Sequence, residues 1–150
     1  MRANAYLNFN GQCETAMRFY ETLLGGEMQA IFPYRGTPAE EFVPAEFRDS
    51  IMHACLKFGD QFLMASDSYG EHYQPMQGMS VTLNIDDPAE ADRVFAALAE
   101  NGNVRMPIGE TFWALRFGDV TDRFGTPWLI NCARPGFRPG EMPEPRRNVA

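Results

Sequence analysis

Of the two histidines in this chain, His53 has neighbours that give its side chain a defined direction. Met52, Ala54, Leu56 and Phe58 alternate as one apolar face of a strand, which places His53, Cys55 and Lys57 together on the other. If that second face lines a cleft, a neutral imidazole there can act as a general base or as a polar anchor for a ligand. The competing reading is a core histidine bonded to a carbonyl. Asp67 and Glu110 stand beside strand ends and are the candidate carboxylate partners, although acids at such places also form turns. Phe112, Trp113 and Arg116 suggest a pocket with an aromatic floor and one cation, with Phe112 sharing a face with Ala114 and Arg116. That combination suits a planar or anionic small molecule. Trp113 and Trp128 alternate onto apolar strand faces, where core packing is their other use.

Other reactive groups have weaker contexts. Cys13 lies in the first turn of a helix, where free N–H groups lower a thiol pKa, but it also falls on the helix's apolar stripe and has no local base. Asp122 opens a turn that ends at Gly125 and is expected to cap backbone N–H groups, with no catalytic role. Cys13, Cys55 and Cys132 are odd in number and widely spaced, which argues against a disulfide framework and against a paired-cysteine metal knuckle. Buried free thiols are the expectation. No Ser-His-Asp order, phosphate loop or paired-carboxylate motif stands out.

The elements that must position these residues follow from periodicity. Ala5 to Phe9 forms a short strand, and Asn10-Gly11 breaks it before a helix from Gln12 to Leu24. Cys13, Ala16, Met17, Tyr20, Leu23 and Leu24 mark the buried side of that helix, and Gly25-Gly26 stops it. Glu27 to Phe32 is a second strand, and residues 33–50, rich in Pro, Glu and Gly, form a long loop of the kind that covers sites. Ile51 to Phe58 and Gln61 to Ala65 flank Gly59-Asp60 as a hairpin.

The pattern then restarts. A strand from Met79 to Ile85 leads to Asp87 as N-cap, Pro88 at the first helical position and Glu90 three residues after the cap. Ala91, Val94, Phe95 and Leu98 supply the buried stripe of this second helix. Asn103 to Met106, Thr111 to Phe117 and Pro127 to Cys132 are the remaining strands. The two halves also echo one another in sequence. Ala16-Met17-Arg18-Phe19 through Leu23 resembles Ala91-Asp92-Arg93-Val94-Phe95 through Leu98, and Cys55 through Asp60 resembles Ala114 through Asp119. An internal repeat of this length is too long for a solenoid unit and indicates a duplicated supersecondary module. The fold class is therefore α+β, with βαβββ modules at 1–68 and 79–133, a linker at 69–78 and an extended or disordered tail at 134–150.

The chain has 150 residues, 45% of them hydrophobic, enough for one compact domain or two packed half-domains. A net charge of −7 and a pI near 4.8 disfavour nucleic acid, since the one tight basic cluster is Arg146-Arg147. No apolar signal core or membrane-length run is present, so the expected compartment is the cytoplasm.

Two such modules in tandem resemble the vicinal oxygen chelate superfamily of glyoxalase I, extradiol dioxygenases, and fosfomycin- and bleomycin-resistance proteins. Tyr6-Leu7-Asn8-Phe9-Asn10-Gly11, Phe19-Tyr20, Met52-His53-Ala54, Leu63 to Asp67, Glu110-Thr111-Phe112-Trp113-Ala114 and Val120 to Asn131 are similar to its PhnB-like (YjdN-like) branch. The resemblance covers residues 4–133 and implies a glyoxalase-like half-barrel. The branch often carries a demethylubiquinone methyltransferase name, but the chain has no glycine-rich nucleotide loop for a methyl donor. In metal-dependent members one ligand comes from the first strand and one from the last strand of each module. Carried over by position, these places fall near Ala5, Met64, Ser80 and Leu129, none suited to the nitrogen and carboxylate coordination of Zn²⁺, Ni²⁺ or Fe²⁺.

The resemblance and the missing donors together imply a small-molecule binding protein with no metal and no cofactor. The alternatives are a metal-free enzyme that uses His53 with Asp67 or Glu110 on a small carbonyl or anionic substrate, and a rearranged metal set of His53, His72 and Asp67. Superfamily habit and exposed sheet edges imply a homodimer.

Overall fold

A computed structural model describes residues 1–138, 140 and 141. The expected tail reaches into residues outside this set, as does Arg146-Arg147. The chain divides into two compact units, Met1–Met79 with Phe124–Thr126, and Ser80–Arg123 with the segment from Pro127 onward. Residues 69–78 thus stay with the first unit, and a three-residue piece of the second repeat joins it.

In the first unit the order is β1 (Ala5–Phe9), α1 (Cys13–Leu24), β2 (Glu27–Pro33), β3 (Ile51–Phe58) and β4 (Gln61–Asp67), forming a sheet in the order β1-β4-β3-β2. β1 runs parallel to β4, and the other neighbours are antiparallel. The second unit repeats this plan with β5 (Val81–Asn84), α2 (Pro88–Ala99), β6 (Asn103–Gly109), β7 (Ala114–Thr121) and β8 (Pro127–Ala133), in the order β5-β8-β7-β6. The α+β class and the duplicated βαβββ module are therefore present. Residues 33–50 are not wholly irregular, since they contain 3-10 turns at Pro38–Phe42 and Ala45–Phe47.

Each helix covers one face of its own sheet. Ala16, Met17, Tyr20 and Leu23 of α1 pack with Leu7, Phe9, Ala54, Leu56, Leu63 and Ala65, all buried. Ala91, Val94, Phe95 and Leu98 of α2 do the same with Leu83, Val120, Trp128 and Ile130. Because side chains alternate along a strand, burial of these positions turns the intervening ones toward the open face of each sheet. Asp87 caps α2, its carboxylate accepting from the Ala89 N–H at 3.1 Å.

The registers correct one part of the sequence comparison. Ala65 pairs with Leu7 and Ala54, as Ile130 pairs with Leu83 and Gly118, so Ala54 and Gly118 are the structural equivalents. The matching Phe-Gly-Asp triplets are consequently out of step. Gly59 lies in the β3–β4 turn with φ of 58°, a conformation that favours glycine. Gly118 lies inside β7, where a Cβ would come within 2.6 Å of the Phe95 ring. Like residues were selected there for unlike reasons, a turn in one unit and a close helix approach in the other.

Strand β7 also begins later than expected. The Ala114 N–H donates to Thr111 Oγ1 at 2.9 Å and the Thr111 N–H donates to the Ala114 carbonyl at 3.0 Å, so residues 111–114 close a turn. Phe112 and Trp113 therefore lie ahead of the strand, and a register shift between Ala114 and Arg116 interrupts the alternation expected there.

Candidate functional site

On the first unit's open face, Tyr6 and Asn8 of β1 point away from α1 because Leu7 and Phe9 point toward it. His53 and Cys55 lie on the same side of β3, and Phe32 of β2 is the cross-strand partner of His53. Tyr6 reaches across β4 so that its hydroxyl stands 3.3 Å from His53 Nδ1. The Tyr6 and His53 rings are 6.0 Å apart, and those of Phe32 and His53 are 5.8 Å apart. Tyr6 and Phe32 are 43% and 37% solvent-exposed, so this group faces solvent and is available to a ligand. In the tautomer in which the Tyr6 hydroxyl donates to Nδ1, the neutral imidazole carries its proton on Nε2; in the other, Nδ1–H donates to the Tyr6 oxygen and Nε2 is an acceptor.

Asp67 points the other way. It is 2% exposed, on the face of β4 that carries Leu63 and Ala65. Its Oδ1 accepts from the N–H groups of Gly11 at 2.8 Å and Cys13 at 3.0 Å, and its Oδ2 accepts from the Ile51 N–H at 2.9 Å. The carboxylate thereby joins the entrance to α1, the start of β3 and the end of β4. His53 and Asp67 lie on opposite faces of one sheet. Burial, then the nearby charges of Asp67 and Glu14, push the Cys13 thiol far up, opposite to the helix-start effect expected from sequence.

A row of aromatic rings borders the open face. Tyr34 and Phe47 stand 5.6 Å apart, Phe47 and Tyr69 4.9 Å, and Tyr69 and His72 5.0 Å. The Tyr34 hydroxyl donates to the Asp67 carbonyl at 3.3 Å, and burial followed by the charges of Tyr6, Asp67 and Tyr69 raises its pKa. His72 belongs to a 3-10 turn beside Tyr69, and among the described residues no group of three His, Cys, Asp or Glu side chains is placed to hold a metal ion.

In the second unit, Phe112, 78% exposed, meets Trp113 at 4.8 Å, and Trp113 meets Phe117 of β7 at 5.2 Å. The expected aromatic surface exists, but Arg116 does not share it. Its Nε donates to Asp92 of α2 at 2.9 Å, on the helix side, because the register shift aligns it with buried Cys132. Glu110 accepts from Arg134 at 2.9 Å and is largely exposed. Asp122 is buried at 4% exposure and accepts from Trp128 Nε1 at 2.8 Å.

The metal positions also become specific. On the open faces Met64 pairs with Tyr6 in the first unit, and Leu129 pairs with Thr82 in the second. The first-strand members are therefore Tyr6 and Thr82, one residue after Ala5 and two after Ser80. A phenol, a thioether, a hydroxyl and an alkyl chain are a poor donor set for a divalent transition metal, so these residues do not fit such a centre. The sequence reading missed Tyr6, Phe32 and Phe117. The alternation of β1 could have revealed Tyr6; the other two depend on register.

Residues 2–131 match the family model described as 3-demethylubiquinone-9 3-methyltransferase. Protein YjdN of Escherichia coli (strain K12) is 34% identical over 142 residues, covering 89% of this chain and 97% of that protein. The crystal structure of protein PA1353 from Pseudomonas aeruginosa is 46% identical with a TM-score of 0.82, covering 89% and 98% of the two chains. The PhnB protein from Bacillus cereus is 28% identical with a TM-score of 0.71, covering 87% and 98%. The fosfomycin resistance protein FosX from Mesorhizobium loti shares the fold, with a TM-score of 0.58 at 14% identity and coverage of 89% and 92%.

Proposed function

We propose that this chain, which belongs to the PhnB-like branch of the vicinal oxygen chelate superfamily and to the family described as 3-demethylubiquinone-9 3-methyltransferase, is a small-molecule binding protein. The observation that carries the reading is the exposed Tyr6–His53–Phe32 group on the open face of the first unit's sheet. Phe32 and Tyr6 supply flat apolar surface, and His53 Nε2 supplies one polar contact, a donor or an acceptor according to the tautomer. The ligand class is a small planar compound carrying a carbonyl or anionic oxygen. In the second unit Phe112 and Trp113 offer further aromatic surface, extended by Phe117. Asp67, Glu110 and Arg116 stand outside the reading because other protein groups engage their charged ends. Metal coordination also stands outside it, on the donor chemistry of Tyr6, Met64, Thr82 and Leu129.

A nuclear magnetic resonance screen of planar carbonyl compounds against the ¹⁵N-labelled protein tests this. Saturable shifts at residues 6, 32 and 53, weakened in His53→Ala and Tyr6→Phe, support it. Hits that leave those positions unmoved, or saturable turnover abolished by His53→Ala, replace it with another site or with catalysis.

The reading includes a cytoplasmic homodimer. Support comes from the buried free thiols Cys13 and Cys132, which suit a reducing compartment, and from edge strand β6 with Val104 and Met106 exposed. Light scattering that returns the mass of one 16.9 kDa chain would remove the dimer.

A further inference from the structure

The chain carries 20 carboxylate side chains against 13 cationic ones, so a cation has many opportunities to find a carboxylate. Most do. Arg18, Arg35, Arg93, Arg105, Arg116 and Arg134 each have a carboxylate oxygen within 3.0 Å. Lys57 and Arg2 are different: among the described residues neither is in an ion pair. Both line one cavity of about 450 Å³ in the first unit, with Asn4, Asp60, Gln61 and Phe62. Lys57 is the chain's sole lysine.

The fold brings these residues together for identifiable reasons. Lys57 and Phe62 are cross-strand partners at the end of the β3–β4 hairpin, so the ammonium and the ring project on the same side of the sheet. The segment entering β1 runs beside β4, because Ala5 pairs with Leu63, and this carries Arg2 to the same corner. Asp60, the one carboxylate in the cavity wall, accepts from the Gln61 side-chain amide at 2.8 Å. Lys57 lies four residues along β3 from His53, about 13 Å away at the usual strand rise, so this corner is separate from the Tyr6–His53–Phe32 group.

We infer that this corner is a binding site for a small oxyanion, a carboxylate or a phosphate, whose head sits between Lys57 and Arg2 and whose apolar part rests on Phe62. Two cations with no internal partner gain more from an incoming anion than cations already neutralised would. The guanidinium supplies a planar fork and the ammonium a compact charge, and the ring selects anions with a flat body. Ordinary salt weakens the interaction, because the charges are exposed.

The single lysine makes the test direct. Reductive ¹³C-methylation keeps the charge and gives one side-chain signal from Lys57, to be followed with benzoate, acetate and inorganic phosphate at constant ionic strength. The amide signals of residues 60–62 serve as a second reporter in unmethylated variants. Saturable shifts are expected, tighter for benzoate than for acetate, and tightest for phosphate if charge outweighs the ring contact. Lys57→Gln should weaken binding about tenfold, Lys57→Arg should restore most of it, and His53→Ala should leave it unchanged. Shifts that never saturate, that chloride reproduces, or that persist undiminished in both Lys57→Gln and Arg2→Ala would overturn the site.

Discussion

The Tyr20 hydroxyl donates to Thr126 Oγ1 at 2.9 Å, and both residues are fully buried within the first unit although 106 positions separate them in the chain. The Phe124 ring accompanies them, edge-on to Tyr20 at 6.1 Å and 5.8 Å from Phe19. The first unit's core is thus completed by the turn before the last strand. Tyr20→Phe should lower stability by about 1–2 kcal/mol, because a buried hydroxyl loses its donor. Urea denaturation would measure it, and a double-mutant cycle with Thr126→Val should return a non-additive coupling.

Asp67 acts as a three-way joint between α1, β3 and β4. Asp67→Asn removes a charge that accepts three backbone N–H bonds and sets an amide N–H₂ group against donors. A loss of about 2–4 kcal/mol is expected, with Asp67→Ala at least as severe. If Asp67 instead serves chemistry alone, the variant will unfold at the same urea concentration as the parent.

Trp128 and Asp122 form the corresponding buried polar pair of the second unit. Trp128→Phe keeps most of the ring volume and removes one hydrogen bond to the buried Asp122 carboxylate, so it should cost about 1–2 kcal/mol. A double-mutant cycle of Trp128→Phe with Asp122→Asn should return a non-additive coupling, which differential scanning calorimetry can read.

Thiol labelling should sort the three cysteines. Burial and neighbouring acids raise the pKa of Cys13, and desolvation followed by Asp86 and Asp87 raises that of Cys132. Cys55 is half-buried on the first unit's open face. In native protein at mildly alkaline pH, Cys55 should react first and the other two only on unfolding. Mass spectrometry of the labelled peptides decides it.

Glu21 gives a pH dependence with a definite sign. The Met28 N–H, and after it Arg18, hold its pKa below the ordinary carboxylate value. A depressed folded-state pKa contributes stability that is present above the unfolded value and lost as pH falls through the folded one. The slope of stability against pH on the acid side should therefore be shallower in Glu21→Gln than in the parent.

Much of the fold was legible. The apolar stripes of both helices, the Asp87-Pro88 helix start and the Gly59-Asp60 hairpin are local patterns, fixed by neighbours in sequence, and the structure follows them. The site was less so. Two-residue alternation, which is also local, puts His53 on the open side of its strand, where the structure has it. Its association with Tyr6 and Phe32 depends on pairing registers across three other strands.

The failures share that cause. Unbroken alternation puts Arg116 on the aromatic surface, whereas a register shift turns it onto α2. The Phe-Gly-Asp echo suggested equivalent positions, and the ladders showed that one glycine bends a turn while the other admits a helix. By itself the sequence determined the duplicated βαβββ plan, the family likeness and the poor metal chemistry of the chelate positions, since each depends on residue type and spacing along the chain. Only the tertiary structure decided which side chains meet on the open face, which backbone groups the Asp67 carboxylate binds and that, among the described residues, Lys57 and Arg2 share a cavity outside any ion pair. Contacts between distant residues are set by register and by the balance of burial against hydrogen bonding, and neither is written in any short stretch of sequence.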